Sequence, residues 1–201
     1  MADADDGHGG DHTAVSARVR RSKDAVLATT NELMSEAGIG GVSIDEVSRR
    51  SGVAKTTIYR HWPSRSALLL DACSRLGSPQ AAPNTGSLQG DLALLVGYLA
   101  EQLNAARWPT ILPSIVDAAE RDPEIAAMHA RLQAGFAAPY LAVIDQAKAR
   151  GEVLKGQDAD IVAAIHGPLF YRRWYSREPI DKAFADGVVR MALAGLKPPK
   201  P

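Results

Sequence analysis

Ser43–Trp62, SIDEVSRRSGVAKTTIYRHW, reads as two short helices joined by a tight turn. Ser43 and Glu46 stand in the S-x-x-E spacing of a capping box, which opens a helix by satisfying exposed backbone N–H groups. Ile44 and Val47 give that helix an apolar edge. Gly52 stops it, because glycine accepts the left-handed conformation wanted at a helix C-terminus. The second helix spans about Ala54 to His61. Lys55, Thr56, Thr57, Tyr59, Arg60 and His61 make its outer side polar and basic, while Val53 and Ile58 anchor its back. A short basic helix held by a few apolar contacts matches the recognition helix of a helix-turn-helix.

Working outward, the pattern from about Ser22 to Ala37 predicts a first helix ended by Gly38, with Val26, Leu27, Ala28, Leu33, Met34 and Ala37 as its buried stripe. After the motif, Pro63 and Ser64 open a fourth helix, with Ser64 as N-cap and Leu68, Leu69 and Ala72 inward. Cys73 on that helix reads as a small buried hydrophobe, since no motif places a His or basic partner beside it.

Residues 20–70 together resemble the DNA-binding domain of the tetracycline-repressor (TetR) family of bacterial transcriptional regulators. The resemblance is carried by the apolar first helix ending in Gly38, Ser43 opening the second, and Gly52–Tyr59 (GVAKTTIY). Trp62 then follows three residues after Tyr59, and Pro63-Ser64-Arg65 precedes an apolar helix. Two positions depart from the family pattern. Ala54 stands where a capping Ser is frequent, so the third helix is expected to start less well capped. Arg65 stands where Lys is usual, which keeps the charge but changes its geometry.

Charge distribution agrees. The 201-residue chain is 46% hydrophobic and 23% charged, enough for one or two packed domains, and its formal net charge is +0. Residues 1–17 carry four acids and no Lys or Arg; residues 18–66 carry nine Lys or Arg against five acids. The basic excess thus coincides with the helix-turn-helix, as phosphate binding requires. Arg18, Arg20, Arg21 and Lys23 form a basic cluster just before the first helix, placed to reach phosphates or the minor groove. The acidic, Gly-rich residues 1–17 predict a disordered tail, and His8 and His12 within it read as solvated rather than metal-binding. Cys73 is the lone cysteine, so no intrachain disulfide forms. No signal peptide and no apolar run near the ~20 residues of a membrane helix are visible, so a cytoplasmic protein without a membrane partner is expected.

Gly77–Leu88, GSPQAAPNTGSL, is the clearest linker. It divides a helix-turn-helix domain, residues 18–78, from a helical domain, residues 79–201. In the latter, helices are expected over about Leu88–Ala106, a short stretch punctuated by Pro109 and Pro113, and a long helix opened by Asp122-Pro123 and kinked at Pro139. Asp158–Tyr175, interrupted at Gly167-Pro168, and Ile180–Leu196 follow, the last with Ile180, Phe184, Val188, Met191 and Leu196 inward. No alternating strand pattern survives, so the fold class is all-α with about nine helices. IHGPLFYRRWYSREPID resembles the junction of the last two helices of many TetR-like regulators. That resemblance implies that these helices pair with their mates in a homodimer, with Trp174, Phe184, Val188 and Met191 at the interface. The competing reading is that this edge packs within its own chain.

The expected function is a DNA-binding transcriptional regulator that represses from a palindromic operator. Double-stranded DNA, a second copy and a small-molecule effector are its partners. Lys55, Thr56, Thr57 and His61 would face base edges or phosphates, with Arg60, Arg18 and Arg21 nearby. Tyr59, Ser43 and Arg65 would hold the phosphate backbone, and Ile58 and Trp62 are assigned to packing. Aromatics beside helix breaks nominate an apolar effector pocket: Trp108, Phe136, Tyr140 and Phe170, with Leu112, Met128 and Leu132 as walls and His166 as a polar group. A stripe such as Met128, Leu132, Phe136 equally fits ordinary core. No nucleophile elbow, phosphate-binding loop, dinucleotide fingerprint or zinc motif is present, so neither an enzyme nor a cofactor is expected. The alternative is a DNA-binding or architectural protein with no effector.

Overall fold

The computed structural model describes residues 9–76, 81–105, 108–152 and 158–195, and among them every regular element is helical. The order is α1 (Gly9–Ala37), a 3-10 turn (Ile39–Gly41), α2 (Ile44–Ser51), α3 (Lys55–His61), α4 (Arg65–Leu76), α5 (Leu88–Ala105), α6 (Trp108–Ala119), α7 (Pro123–Ala149), α8 (Asp158–Tyr171), a π turn (Arg172–Ser176) and α9 (Lys182–Gly195). The chain forms two compact units, Met1–Arg75 with Ile111–Met128, and Leu76–Thr110 with His129–Pro201.

In the first unit, α1 begins at Gly9, not near Ser22, so the expected tail is helical from residue 9 onward. No Gly or Pro interrupts residues 11–37, and Ala, Arg and Lys there favour helix. Residues 1–8, including His8, lie outside the described residues. The α1 stripe also differs. Val26, Leu27, Leu33 and Met34 are buried as expected, but Ala28 and Ala37 are exposed, and Thr29 and Thr30 are buried in their place. Thr30 can be buried because its hydroxyl donates to the Val26 carbonyl at 2.8 Å.

Ser43 caps α2 by accepting the Glu46 N–H at 3.1 Å, and Gly52 ends it at φ 70°. Ala54 gives α3 no side-chain cap. Ser64 caps α4 by accepting the Ala67 N–H. The apolar centre of this unit is Met34, Val47, Ile58, Leu68, Leu69 and Ala72, each at most 1% exposed. Residues 111–128, read from the sequence as part of the C-terminal domain, complete it. Ser114 Oγ accepts the Ile39 N–H at 3.1 Å, and Glu124 pairs with the Ser66 hydroxyl. Gly38 is required here twice over. Its φ is 65°, and a Cβ on it would lie 2.9 Å from Ser114 Cβ.

In the second unit, α9 packs on α5 and α8. The inward face of α9 is Ala185, Val188, Val189 and Ala192, the i, i+3, i+4, i+7 stripe of one helix side. Met191 falls off that stripe and is 59% exposed, contrary to the inward placement expected for it. Leu196 lies outside the described residues. Helix α8 runs through Gly167-Pro168 without the expected interruption. It widens only at Arg172–Ser176 and then stops at Arg177, a non-glycine residue at φ 56°.

Sequence reasoning missed Asp91 entirely. It lies on the buried stripe of α5 at 0% exposure, accepting from the Thr85 N–H (2.6 Å), the Thr85 hydroxyl (2.8 Å) and Arg150 (3.3 Å). Burial alone would raise its pKa; the Thr85 bonds and Arg150 outweigh that and lower it.

Candidate nucleic-acid interface and ring cluster

Helix α3 is built from its back outward. Ile58 is fully buried and Trp62, just past the helix end, is 5% exposed with its indole N–H donating to Asp71 at 2.9 Å. With those two fixed, helical spacing turns Lys55, Thr56, Tyr59 and Arg60 to solvent. Tyr59 is 50% exposed, so its ring does not pack in the core. Thr57 and His61 are half-buried at the edge of this face.

Charges around α3 are held in order by α1 and α2. Lys55 pairs with Asp45 at 2.6 Å, linking α3 to the first turn of α2. Glu46 accepts from both Arg49 and Arg50, and Arg50 also reaches Glu36 on α1 at 2.9 Å. The hydrogen bond from Arg49, then that from Arg50, pulls the Glu46 carboxyl down to about 2. The Glu46 side chain is therefore engaged with arginines, so only the Ser43 half of the expected capping box forms.

Two residues nominated for DNA are placed otherwise. Arg65 does not project: its guanidinium donates to the Val42 carbonyl at 2.6 Å and to the Ile39 carbonyl, clamping the turn before α2. His61 rests edge-on against Trp62 at 5.8 Å. Burial first, then Lys23 and Arg60, lower its pKa and so favour the neutral imidazole. Arg18 and Arg21 are exposed, but on helix α1, not on an arm preceding it. Ser43 is exposed at the start of α2, with its hydroxyl already engaged as the cap.

The second unit gathers most of the residues nominated for an effector. Trp108 stacks on Phe136 at 5.6 Å. Tyr140 meets the His166 edge at 4.8 Å, His166 stacks on Phe170 at 5.5 Å, and Phe170 meets Trp174 at 4.9 Å. Trp174 closes the series by donating its indole N–H to the Pro109 carbonyl, next to Trp108. Leu132 is buried in this unit, whereas Leu112 and Met128 belong to the first. Tyr140 donates to the Leu95 carbonyl at 3.2 Å, and burial pushes its hydroxyl pKa up. Burial takes the His166 imidazole down to about 4, so it is neutral at physiological pH.

Trp174 was nominated for a dimer surface, and the structure engages it within its own chain instead. His166 and Phe170 stand four residues apart on one side of α8, and the π turn that follows brings Trp174 to them. Val188 is likewise fully buried within the chain. The large apolar side chains that stay exposed are Tyr171 and Tyr175, stacked at 5.7 Å, on α8 and its π turn, and Met191 on α9. Phe184 is half-buried beneath the Arg172 guanidinium, 3.6 Å from the ring centroid. Among the described residues no three His, Cys, Asp or Glu converge as metal ligands, and no helix is long and apolar enough to cross a membrane.

Comparison with known proteins accounts for both units. The family profile described as "Bacterial regulatory proteins, tetR family" matches residues 26–72, and "Tetracyclin repressor-like, C-terminal domain" matches residues 82–192. An uncharacterized HTH-type transcriptional regulator of Bacillus subtilis, YdeS, is 25% identical over 182 residues, covering 86% of this chain and 88% of its own. The DNA-binding transcriptional repressor TetR of Mycobacteroides abscessus is 28% identical over 184 residues, covering 90% and 96%. The crystal structure of the TetR family transcription regulator SCO0332 superposes with a TM-score of 0.70 at 28% identity, covering 88% of this chain and 99% of that one. With a helix-turn-helix at its head and matches that run through both units, this chain belongs to the TetR family of DNA-binding transcriptional regulators.

Proposed function

We propose that this regulator is a repressor that binds a palindromic operator as a homodimer and leaves it when a small, largely apolar effector binds its C-terminal unit. The observation that carries the DNA half is the outer face of α3. Lys55, Thr56, Tyr59 and Arg60 are exposed on a helix whose back is fixed by a buried Ile58. Such a helix lies in the major groove, with base edges read from its outer face and phosphates held at its flanks. A protein working on chromosomal operators acts in the cytoplasm.

Support for a homodimer comes from Tyr171, Tyr175 and Met191, which are 60%, 80% and 59% exposed on adjoining elements. Large apolar surface of this kind on neighbouring helices suits a two-fold contact. Two heads related in that way read half-sites one helical turn, about 34–36 Å, or a multiple of it apart. Support for an effector comes from the ring series around His166, apolar with one neutral imidazole and one phenol among its members. To act, the effector must bind more tightly to a state whose heads no longer match the operator spacing. The test begins with an operator selected from random duplexes. Wild type should sediment as a dimer and bind it. Tyr175→Asp with Met191→Asp should give folded monomers of at least tenfold lower operator affinity. A monomeric wild type at micromolar concentration, or folded monomers that bind equally well, would sink the dimeric reading. For the effector, Phe136→Ala with operator binding intact should blunt release by any compound that frees the wild type.

A further inference from the structure

The loop between α8 and α9 holds a feature that neither DNA binding nor dimerisation uses. Arg172, Arg173, Trp174, Arg177, Glu178 and Ile180 line an open cleft of about 400 Å³ within the second unit. That volume suits a small molecule, about 300–1,000 Å³, and far exceeds the ~30 Å³ share of one water. Three guanidiniums line it against one carboxylate. Glu178 is already paired with Arg172 at 3.2 Å, and Arg172 also donates to the Pro179 carbonyl. Arg173 and Arg177 are thus left without a compensating carboxylate in the lining.

Three independent observations mark the same place. Arg173 Nε is a buried polar atom without a hydrogen-bond partner among the described residues. Buried donors in that condition are rare, and a bound acceptor would satisfy them. The backbone from Arg172 to Ser176 is a π turn, a rare form that frequently marks functional sites. Arg177 then adopts φ 56°, a left-handed conformation disfavoured for a side chain of its size. The irregular backbone brings consecutive arginines to one cleft, which a regular helix would splay around its axis.

We infer that this cleft binds the anionic group of a small aromatic or apolar ligand, with Arg173 and Arg177 gripping a carboxylate or phosphate and Trp174 and Ile180 bearing the ligand's body. Planar guanidiniums match both oxyanions in bidentate geometry. Trp174 also ends the ring series, so the inference rests on the reading that the C-terminal unit takes a ligand and adds the ligand's charge to it.

Three probes of similar shape test it on the full-length protein by calorimetric titration: naphthoate, naphthyl phosphate and naphthylmethanol. The anions should bind at least tenfold more tightly than the alcohol and weaken as salt rises. Whichever anion binds better assigns carboxylate or phosphate. Arg173→Gln and Arg177→Gln should each lower anion affinity about tenfold. Both should leave alcohol binding, operator binding and the melting temperature unchanged, and Lys at either position should restore part of the loss. Arg172 is left intact because it also holds the turn through Pro179 and Glu178. Equal binding of alcohol and anions, or a doubly substituted Gln variant that binds the anions like wild type, overturns the anion site. In the first case, alcohol binding that Phe136→Ala weakens would leave the broader ligand reading standing. If none of the probes binds at millimolar concentration, both fall.

Discussion

Replacing Arg65 separates two roles that its sequence position does not. A phosphate-holding arginine would make Arg65→Gln lower operator affinity, reduce the slope of log affinity against log salt by about 0.9, and leave stability alone. The structure predicts the reverse. The guanidinium donates to the Val42 and Ile39 carbonyls and is only part exposed. Hydrogen bonds from a charged donor contribute about 1.5–3 kcal/mol each. The loss falls below the sum of the two, because Ile39 O keeps a second donor, the Val42 N–H at 3.3 Å, and solvent reaches the site. Arg65→Gln should therefore destabilise the protein by about 2–3 kcal/mol, or about 4–12 °C in melting temperature for a chain of this size. The assay is thermal unfolding together with operator titration at several salt concentrations. An unchanged melting temperature with a salt slope reduced by about one unit would refute the clamp and return Arg65 to the phosphates.

Other consequences follow from single contacts. Gly38→Ala should destabilise by about 2–3 kcal/mol by chemical denaturation, since φ 65° disfavours a Cβ and Ser114 Cβ leaves no room for one. Asp91→Asn should lose about 2–3 kcal/mol, because it weakens the Thr85 bonds and leaves Arg150 without its buried partner. His166, normally near 6.5, is held at about 4 by burial, so the folded state prefers the neutral ring. Its contribution is complete above pH 6.5 and is lost as pH falls from there toward 4, where the unfolded chain takes up the proton first. At ~1.36 kcal/mol per pH unit that amounts to at most about 3 kcal/mol, and His166→Phe should flatten stability over that interval.

How much of this the chain shows by itself depends on how local each cause is. The boundaries of α2, α3 and α4 are legible because Ser43, Gly52 and Ser64 act on backbone groups within a turn of themselves. The start of α1 is not, because nothing between Gly10 and Gly38 punctuates a helix, and the acidic composition alone suggests a tail. Arg65 reads as a phosphate ligand until its acceptors appear 23 and 26 residues away. Asp91 reads as a polar residue on a helix start until Arg150 arrives from 59 residues away. The ring series was half legible. Proline positions pointed to Phe136, Tyr140 and Phe170, but the turn that swings Trp174 inward toward Pro109 is a π turn that no spacing rule predicts. Phase errors explain the rest: Val188 and Met191 lie three residues apart, yet one is buried and the other exposed.

Operator reading by the exposed face of α3 can be measured by fluorescence anisotropy on a selected operator duplex with Lys55→Ala and Tyr59→Ala combined. Both side chains are exposed, and Lys55 contributes only a surface ion pair with Asp45, so the fold should be retained with a melting temperature within about 2 °C of wild type. Lost phosphate and base contacts of about 1–3 kcal/mol each should weaken operator binding by at least about thirtyfold in moderate salt. Wild-type affinity in a folded double variant would show that this face does not read the operator.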